Sequence, residues 1–285
     1  MKERAFAKIN LCLDVVQRRE DGYHDLRMIM VPVDFYDVLE MTPADETTMS
    51  VNRSYLPVND KNTVIKAIHV MQERYGFHQE FACNLQKHIP TQAGLAGGSA
   101  DAAAAIRMMN RMMRLNLSRS ELIETAKEVG ADVPFCVMNR PSLVEGIGEL
   151  LTPFTCTTEF EILLVKPRMG VSTKAAFGGL NFDTLIHPDV DGMKTALESG
   201  DYEGVVSRLG NSLEDVSVNL VKAIRDVKEE LDAFGFDGVL MSGSGSTVFG
   251  ITKSPRLVRE ASDLMRANGY FVRRTKIIDS SQPGF

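Results

Sequence analysis

Apolar and polar side chains alternate along residues 5–16, with Ile9, Leu11, Leu13 and Val15 on one side and Lys8, Asn10, Cys12 and Asp14 on the other. A period of two marks a strand that turns one face to a core. Asp21-Gly22 is a turn signal, and residues 26–33 resume an extended apolar pattern, so the segment reads as two strands joined by a polar connection carrying Tyr23 and His24. The period then changes. Val64, Ile68, Met71 and Tyr75 recur at helical spacing, with Asp60 or Asn62 as the start signal and Gly76 as the stop. Residues 81–86 alternate again as a strand. A glycine-rich stretch follows, Gln92-Ala93-Gly94-Leu95-Ala96-Gly97-Gly98-Ser99, and runs into a helix rich in alanine and methionine. Ser118 and Glu121 have the spacing of a capping box ahead of Leu122, Ile123 and Ala126, and Gly130 can end that helix. Asp132 falls just beyond it, and Pro134 discourages helical geometry at Val133.

The polar stretch 152–158, with Pro153, precedes a strong strand at 160–165 and sets the expected domain boundary, giving domains 1–153 and 154–285. Leu213, Val216, Leu220, Ile224, Val227 and Leu231 trace one face of a single helix ending near Gly235. Residues 238–241 and 247–251 read as strands around Ser242-Gly243-Ser244-Gly245-Ser246. Ser254-Pro255 opens a helix that stops at Gly269, and 270–278 is a last strand. The order strand, helix, strand, strand, helix, strand is the split βαβ, or ferredoxin-like, arrangement, with extra helices between Thr173 and Leu209.

Composition narrows the class. The chain has 285 residues, 44% hydrophobic and 25% charged, the balance of a soluble globular protein. No window approaches a membrane span and no cationic leader opens the chain, so a cytoplasmic location without membrane association is expected. The net charge of −6 argues against nonspecific nucleic-acid binding, which needs a broad basic surface. Cys12, Cys83, Cys136 and Cys156 lack metal-ligand spacing and read as buried thiols.

The chemistry concentrates in few places. Glycines at 94–99 let backbone N–H groups approach phosphate oxygens, and the N-terminus of the following helix adds partial positive charge. A flexible turn before an alanine-rich helix is the competing reading. No Gly-Lys pair occurs, which excludes a Walker loop, and no G-x-G-x-x-G follows a strand. Lys8 and Asn10 are informative only if their face is enclosed, because a buried lysine requires a carboxylate or a phosphate. Asp132 is a lone carboxylate amid small and apolar residues, suited to a cleft or to a helix cap. Tyr23 and His24 can stack on and hydrogen-bond a base, or be an ordinary core tyrosine and surface histidine. Met108, Met109, Met112 and Met113 read as core filler.

Ala7-Lys8-Ile9-Asn10-Leu11 with Asp21-Gly22-Tyr23-His24, Pro90 with Gly94-Leu95-Ala96-Gly97-Gly98-Ser99-Ala100-Asp101, Gly130-Ala131-Asp132-Val133-Pro134, and Gly243-Ser244-Gly245-Ser246 occur in order and resemble the GHMP kinases. The first pair narrows the likeness to the branch that acts on a cytidine-diphosphate-linked polyol in isoprenoid-precursor synthesis. The resemblance implies an α+β, two-domain GHMP fold. Its N-terminal domain is ribosomal-protein-S5-like, with a left-handed crossover that the usual right-handed rule would not give, and its C-terminal domain is ferredoxin-like. It implies ATP and Mg2+ as cofactors, a small-molecule substrate, no nucleic-acid partner, and a monomer or weak homodimer.

By position, Asp132 matches the family's catalytic base and Lys8 the lysine that keeps that carboxylate ionised and stabilises the attacking oxygen. Asn62, Pro90, Gly94, Leu95, Ala96, Gly97, Gly98, Ser99 and Ala100 match ATP-binding positions, with Ser99 the candidate metal contact. Asn10, Tyr23, His24, Thr173, Phe177, Gly243 and Ser244 match substrate-binding positions, Tyr23 and Phe177 sandwiching the cytosine. Three positions depart from the pattern: Ala96 replaces a common glycine, Asn139-Arg140-Pro141 stands where two glycines are frequent, and Ser212 stands where aspartate is usual. The extra methyl at Ala96 is tolerable provided its backbone angles are ordinary. A kinase for another small alcohol, of the homoserine or mevalonate type, and a nucleotide-binding relative without catalysis are the alternatives.

Overall fold

In the computed structural model, which describes residues 1–278, the alternation at the N-terminus belongs to a 17-residue strand, β1 (Lys2–Arg18). A tight turn, closed by the Arg19 N–H donating to Tyr23 O at 2.8 Å, leads into the 21-residue β2 (His24–Ala44). From Ala7 to Leu13 every residue of β1 is buried, so both faces are enclosed. That settles the open question about Lys8 and Asn10, which are 5% and 0% exposed.

The chain forms two compact units. The first comprises Met1–Ala7, Phe35–Thr91 and Ala96–Asn139. In it the far end of β2 pairs antiparallel with β4 (Glu80–Gln86), Val38 opposite Gln86, and β3 (Thr48–Val51) runs parallel to β4. Four helices complete the unit: α1 (Thr63–Tyr75), α2 (Gly97–Met112), α3 (Arg119–Val129) and α4 (Val133–Met138). Helix α1 starts where the Asn62 side chain accepts from the Val64 N–H at 2.9 Å and stops at Gly76 in the left-handed conformation, φ 67°. In α2, Ala102–Ala105, Ile106, Met108 and Met109 are fully buried, while Met112 and Met113 are half-buried. Small side chains let neighbouring elements approach α2 closely. The capping box at Ser118 and Glu121 forms with both of its bonds.

Helix α4 corrects the expectation at Pro134. Val133 is helical, because the proline occupies the first turn, where its missing N–H has no intrahelical partner to lose. All six residues of α4 are buried, an apolar drive that outweighs the steric bias against helix before a proline.

The second unit comprises Lys8–Asp34, Gln92–Leu95 and the chain from Arg140 onward. The near part of β2 pairs with β5 (Ser142–Gly146), which pairs with β6 (Leu150–Pro153); β8 (Gly210–Asn211) runs parallel to β1 at Cys12 and Leu13. A separate antiparallel sheet contains β7 (Glu161–Lys166), β9 (Gly238–Met241), β10 (Val248–Thr252) and β11 (Phe271–Thr275), in the order β11-β7-β10-β9. With α9 (Ala223–Phe234) before β9 and α10 (Pro255–Ala267) before β11, this is the ferredoxin-like pattern read from the sequence. Helices α5 (Thr173–Gly178), α6 (Val190–Ser199), α7 (Tyr202–Ser207) and α8 (Glu214–Leu220) fill the connection after β7.

The single helix expected from Leu213 to Leu231 is two, α8 and α9, because Val221 is extended at φ −135°, ψ 89°. Ile224, Val227 and Leu231 are buried on the core face of α9, but Leu220 at the end of α8 is exposed, so the expected face stops at a break that the apolar spacing in the sequence does not reveal. Stretch 152–158 lies within the second unit. No described helix is long and apolar enough to cross a membrane.

Candidate active site

In the second unit the polar side of β1 meets the loop before α2 and the serine-glycine turn after β9. The Lys8 N–H donates to Leu95 O at 3.2 Å, and Lys8 Nζ donates to Asn10 Oδ1 at 2.7 Å. The Asn10 N–H reaches Ser242 Oγ at 3.4 Å, and that hydroxyl donates to Gly94 O at 2.9 Å. The Thr247 N–H donates to Ala93 O at 3.2 Å. Gly94 is left-handed at φ +72°, and a Cβ there would lie 2.0 Å from Ser242 O. Gly243, at φ +56°, sits so close that a Cβ would lie 3.3 Å from both Lys8 Nζ and Asn10 Oδ1. The Asn211 amide holds this turn by donating to Met241 O and Gly243 O, each at 2.8 Å. The hydroxyls of Thr173 and Ser244 are 3.0 Å apart. Five predicted residues, Lys8, Asn10, Gly94, Leu95 and Gly243, are therefore one bonded cluster, and Thr173 joins Ser244 beside it. Sequence reasoning missed Ser242 and Asn211; a serine ahead of the glycine turn gave no sign of its double role.

Farther along the same unit, the His24 ring lies 5.0 Å from Phe177 and 6.0 Å from Phe182, the latter stacked at 8°. The predicted partner of Phe177, Tyr23, is 59% exposed, and the ring facing Phe177 is that of His24. Partial burial, helped by nearby Arg18, pulls the His24 imidazole below its usual range. Phe182 was not anticipated, since an isolated phenylalanine after Asn181 carries no periodic signal. At Ser212, the hydroxyl donates to Ile186 O at 2.8 Å and accepts from the Val15 N–H at 3.2 Å. Asp14 stands close by, accepting from His187 Nδ1 at 2.7 Å, so a carboxylate is supplied from β1 where residue 212 itself lacks one.

The first unit carries the rest of the glycine loop. Ala96, at the N-cap of α2, is left-handed at φ 54°, ψ 30°, which overturns the condition under which its methyl was to be tolerated. The β-carbon of an L-residue crowds the following carbonyl in that region, so a glycine there would carry less strain. Asn139 is left-handed too, at φ 48°, and asparagine is among the few side chains that accept it. Thr63 Oγ1 donates to Gly98 O at 2.7 Å, tying α1 to the start of α2. Asn62 is engaged at both ends of its amide, capping α1 and donating to Pro57 O at 2.8 Å. Pro90 and Ser99 are half-buried and Ala100 is buried, while the Ser99 hydroxyl enters no hydrogen bond among the described residues. Asp132 occupies the N-cap position of α4, yet its side chain makes no capping bond, so the helix-cap reading does not describe how its carboxylate is used.

The other candidate chemistries recede. Burial, aided at Cys12 by Asp14, pushes the Cys12 and Cys83 thiols up to about 12, leaving them protonated and unreactive at neutral pH. Among the described residues no three His, Cys, Asp or Glu side chains converge to hold a metal. The second unit presents a buried lysine and two phenylalanine rings beside a histidine; the first presents the glycine-rich start of α2 and the Asp132 carboxylate.

Comparison with known proteins agrees with that chemistry. Residues 62–140 match the GHMP kinases N terminal domain and residues 193–270 match the GHMP kinases C terminal region. A 4-diphosphocytidyl-2-C-methyl-D-erythritol kinase of Lachnospira eligens is 44% identical over 269 residues, covering 93% of each chain. A crystal structure of a 4-(cytidine 5'-diphospho)-2C-methyl-D-erythritol kinase superposes with a TM-score of 0.82 at 30% identity, over 97% of this chain and 99% of that one. A homoserine kinase from Cytophaga hutchinsonii shares the fold, with a TM-score of 0.75 at 19% identity over 97% of this chain and 95% of that one. With both matched regions in order and a relative this similar along nearly its whole length, the chain belongs to the GHMP kinase family.

Proposed function

We propose that this chain uses ATP to phosphorylate the 2-hydroxyl of 4-diphosphocytidyl-2-C-methyl-D-erythritol, a step of the non-mevalonate route to isoprenoid precursors. The observation that carries the reading is the 44% identity, over 93% of both chains, to a protein bearing that name. The His24 ring, lying against Phe177 and Phe182, supports it, because flat apolar faces beside a hydrogen-bonding edge suit a nucleobase. A homoserine- or mevalonate-type alcohol has no base to use them.

In this reading the hydroxyl oxygen forms the new bond to the γ-phosphorus in line with the breaking bond to the β–γ bridging oxygen. ADP leaves with that electron pair and the hydroxyl proton passes to Asp132. Such transfer has a loose transition state, so placement and charge neutralisation contribute more than proton abstraction. Lys8, held by Asn10, supplies a positive charge already withdrawn from water, where it acts more strongly than at a surface. The N–H groups of residues 94–99 and the start of α2 receive phosphate oxygens, and Asn62, Pro90 and Ala100 border the nucleotide. Magnesium, with Ser99 as the proposed protein ligand, would neutralise the β- and γ-phosphate oxygens. Asn10, Tyr23, His24, Thr173, Phe177, Gly243 and Ser244 bind the cytidylyl polyol. We place the enzyme in the cytoplasm as a monomer or weak homodimer.

The test is incubation of the purified chain with ATP, magnesium and the cytidylyl-methylerythritol, with products read by mass spectrometry. One added phosphoryl group on the acceptor and stoichiometric ADP are expected. Faster phosphorylation of homoserine or mevalonate in a competing panel would overturn the assignment.

A further inference from the structure

The first unit contains a buried charge cluster that the reaction does not use. Lys87 Nζ donates to Asp37 Oδ2 at 2.5 Å and to Asp101 Oδ2 at 2.7 Å. The three side chains are 4%, 0% and 4% exposed. Asp37 Oδ1 in turn accepts the N–H of His88 at 2.5 Å and of Ile89 at 2.8 Å. Asp101 Oδ1 is buried with no hydrogen-bond partner among the described residues. Burial, reinforced by Asp37 and opposed by Lys87, raises the Asp101 carboxyl well above the usual range. Two carboxylates on one ammonium, with an orphaned oxygen, is a poor way to stabilise a core; apolar residues of similar volume commonly serve as well or better.

Where the cluster sits suggests another purpose. Lys87, His88 and Ile89 are the last residues before the loop that starts at Pro90, and Asp101 lies in the second turn of α2, just after it. The ammonium also lies directly under the start of α2, since a Cβ on Gly97 would be 3.1 Å from Lys87 Nζ and 2.9 Å from Ile89 Cγ2. Asp37 thus fixes the segment that leads from β4 into the loop, Asp101 the helix leaving it, and Lys87 joins the two. A glycine-rich segment left to itself has many conformations to lose on binding an anion. Fixing both of its ends removes much of that entropy before the ligand arrives.

We propose that Lys87, Asp37 and Asp101 form a clamp that positions the glycine-rich loop for the nucleotide's phosphates. The three are positioning residues that act through the loop backbone, and the clamp's effect on catalysis rests on the ATP reading above. Asp101→Ala releases the α2 end while leaving the Lys87–Asp37 pair intact. Asp101→Asn keeps an oxygen for Lys87 and serves as the conservative rescue. Amide hydrogen exchange on the full chain is expected to speed up about tenfold or more at residues 96–100 in Asp101→Ala, with α3 unchanged, and to return near wild type in Asp101→Asn. In kinetics, Asp101→Ala raises KM for ATP about tenfold or more, with KM for the alcohol acceptor within about threefold of wild type. If Asp101→Ala does not fold, the volume-conserving triple variant Lys87→Met/Asp37→Asn/Asp101→Asn is read in the same way. A lowered melting temperature with unchanged loop exchange in Asp101→Ala, or in the triple variant where that one does not fold, overturns the clamp. Wild-type protein that neither binds nor turns over ATP overturns the nucleotide reading instead, and the exchange data still decide the clamp.

Discussion

Replacing Gly94 with alanine probes a tight backbone joint in the second unit. The new methyl would face two separate costs. At φ +72° an L-residue is disfavoured by about 1–2 kcal/mol. The Cβ would also lie 2.0 Å from Ser242 O and 3.1 Å from the Gly245 nitrogen, backbone atoms that no rotamer change can move. Relief requires displacing the turn after β9, and overpacking of this kind costs about 1–3 kcal/mol. The sum, about 2–5 kcal/mol, corresponds to a melting temperature lower by about 4–20 °C for a domain of this size. The same displacement strains the Ser242 bonds to Gly94 O and the Asn10 N–H. Gly98→Ala is the natural comparison, because a Cβ there meets nothing nearer than Thr63 Oγ1 at 3.5 Å. It should melt within about 1 kcal/mol of wild type, while weakening ATP if phosphate oxygens come against that backbone. Calorimetry and ATP titrations of both variants make the comparison; a Gly94→Ala protein as stable as wild type would refute the reasoning.

The other predictions are more local. Asp132→Asn is expected to lower turnover by several powers of ten with modest change in substrate affinity, and near-normal turnover by single-turnover assay would remove Asp132 from the mechanism. Ala96→Gly relieves the left-handed strain at φ 54° and should raise stability by about 1 kcal/mol in chemical denaturation; a destabilised variant would show that the methyl packs usefully. The folded-state pKa of His24 is below its unfolded value of 6.5, so its contribution is fully present above that pH and is lost as pH falls through the folded value. The gap in melting temperature between wild type and His24→Gln should therefore narrow from pH 7 to pH 5, and a gap that widens on acidification would contradict the assignment.

Much of the fold was legible because local chemistry and tertiary structure agree. The caps at Asn62, Gly76 and Ser118, and the four strands of the ferredoxin-like sheet, all occur where spacing and turn residues placed them. What escaped reading depends on distant partners. Strands β3, β5 and β8 are short and exist through pairing with β4, β2 and β1. The break at Val221 leaves apolar spacing intact, and Val133 is helical because its whole segment is buried. The site shows the same division. Glycines announced the loop, but the left-handed angle of Ala96 carries no sequence signal, and the two hydrogen bonds of Ser242 arise only when Gly94, β1 and the turn after β9 assemble.

The two long strands have a consequence for inheritance. The backbone passes from one unit to the other at Ala7, Asp34, Thr91, Leu95 and Asn139. A fragment ending at residue 153 would keep every segment of the first unit but would sever 8–34, 92–95 and 140–153 from the remainder of the second. Gene fusion or recombination at a single junction therefore cannot carry one unit away intact and leave the other whole.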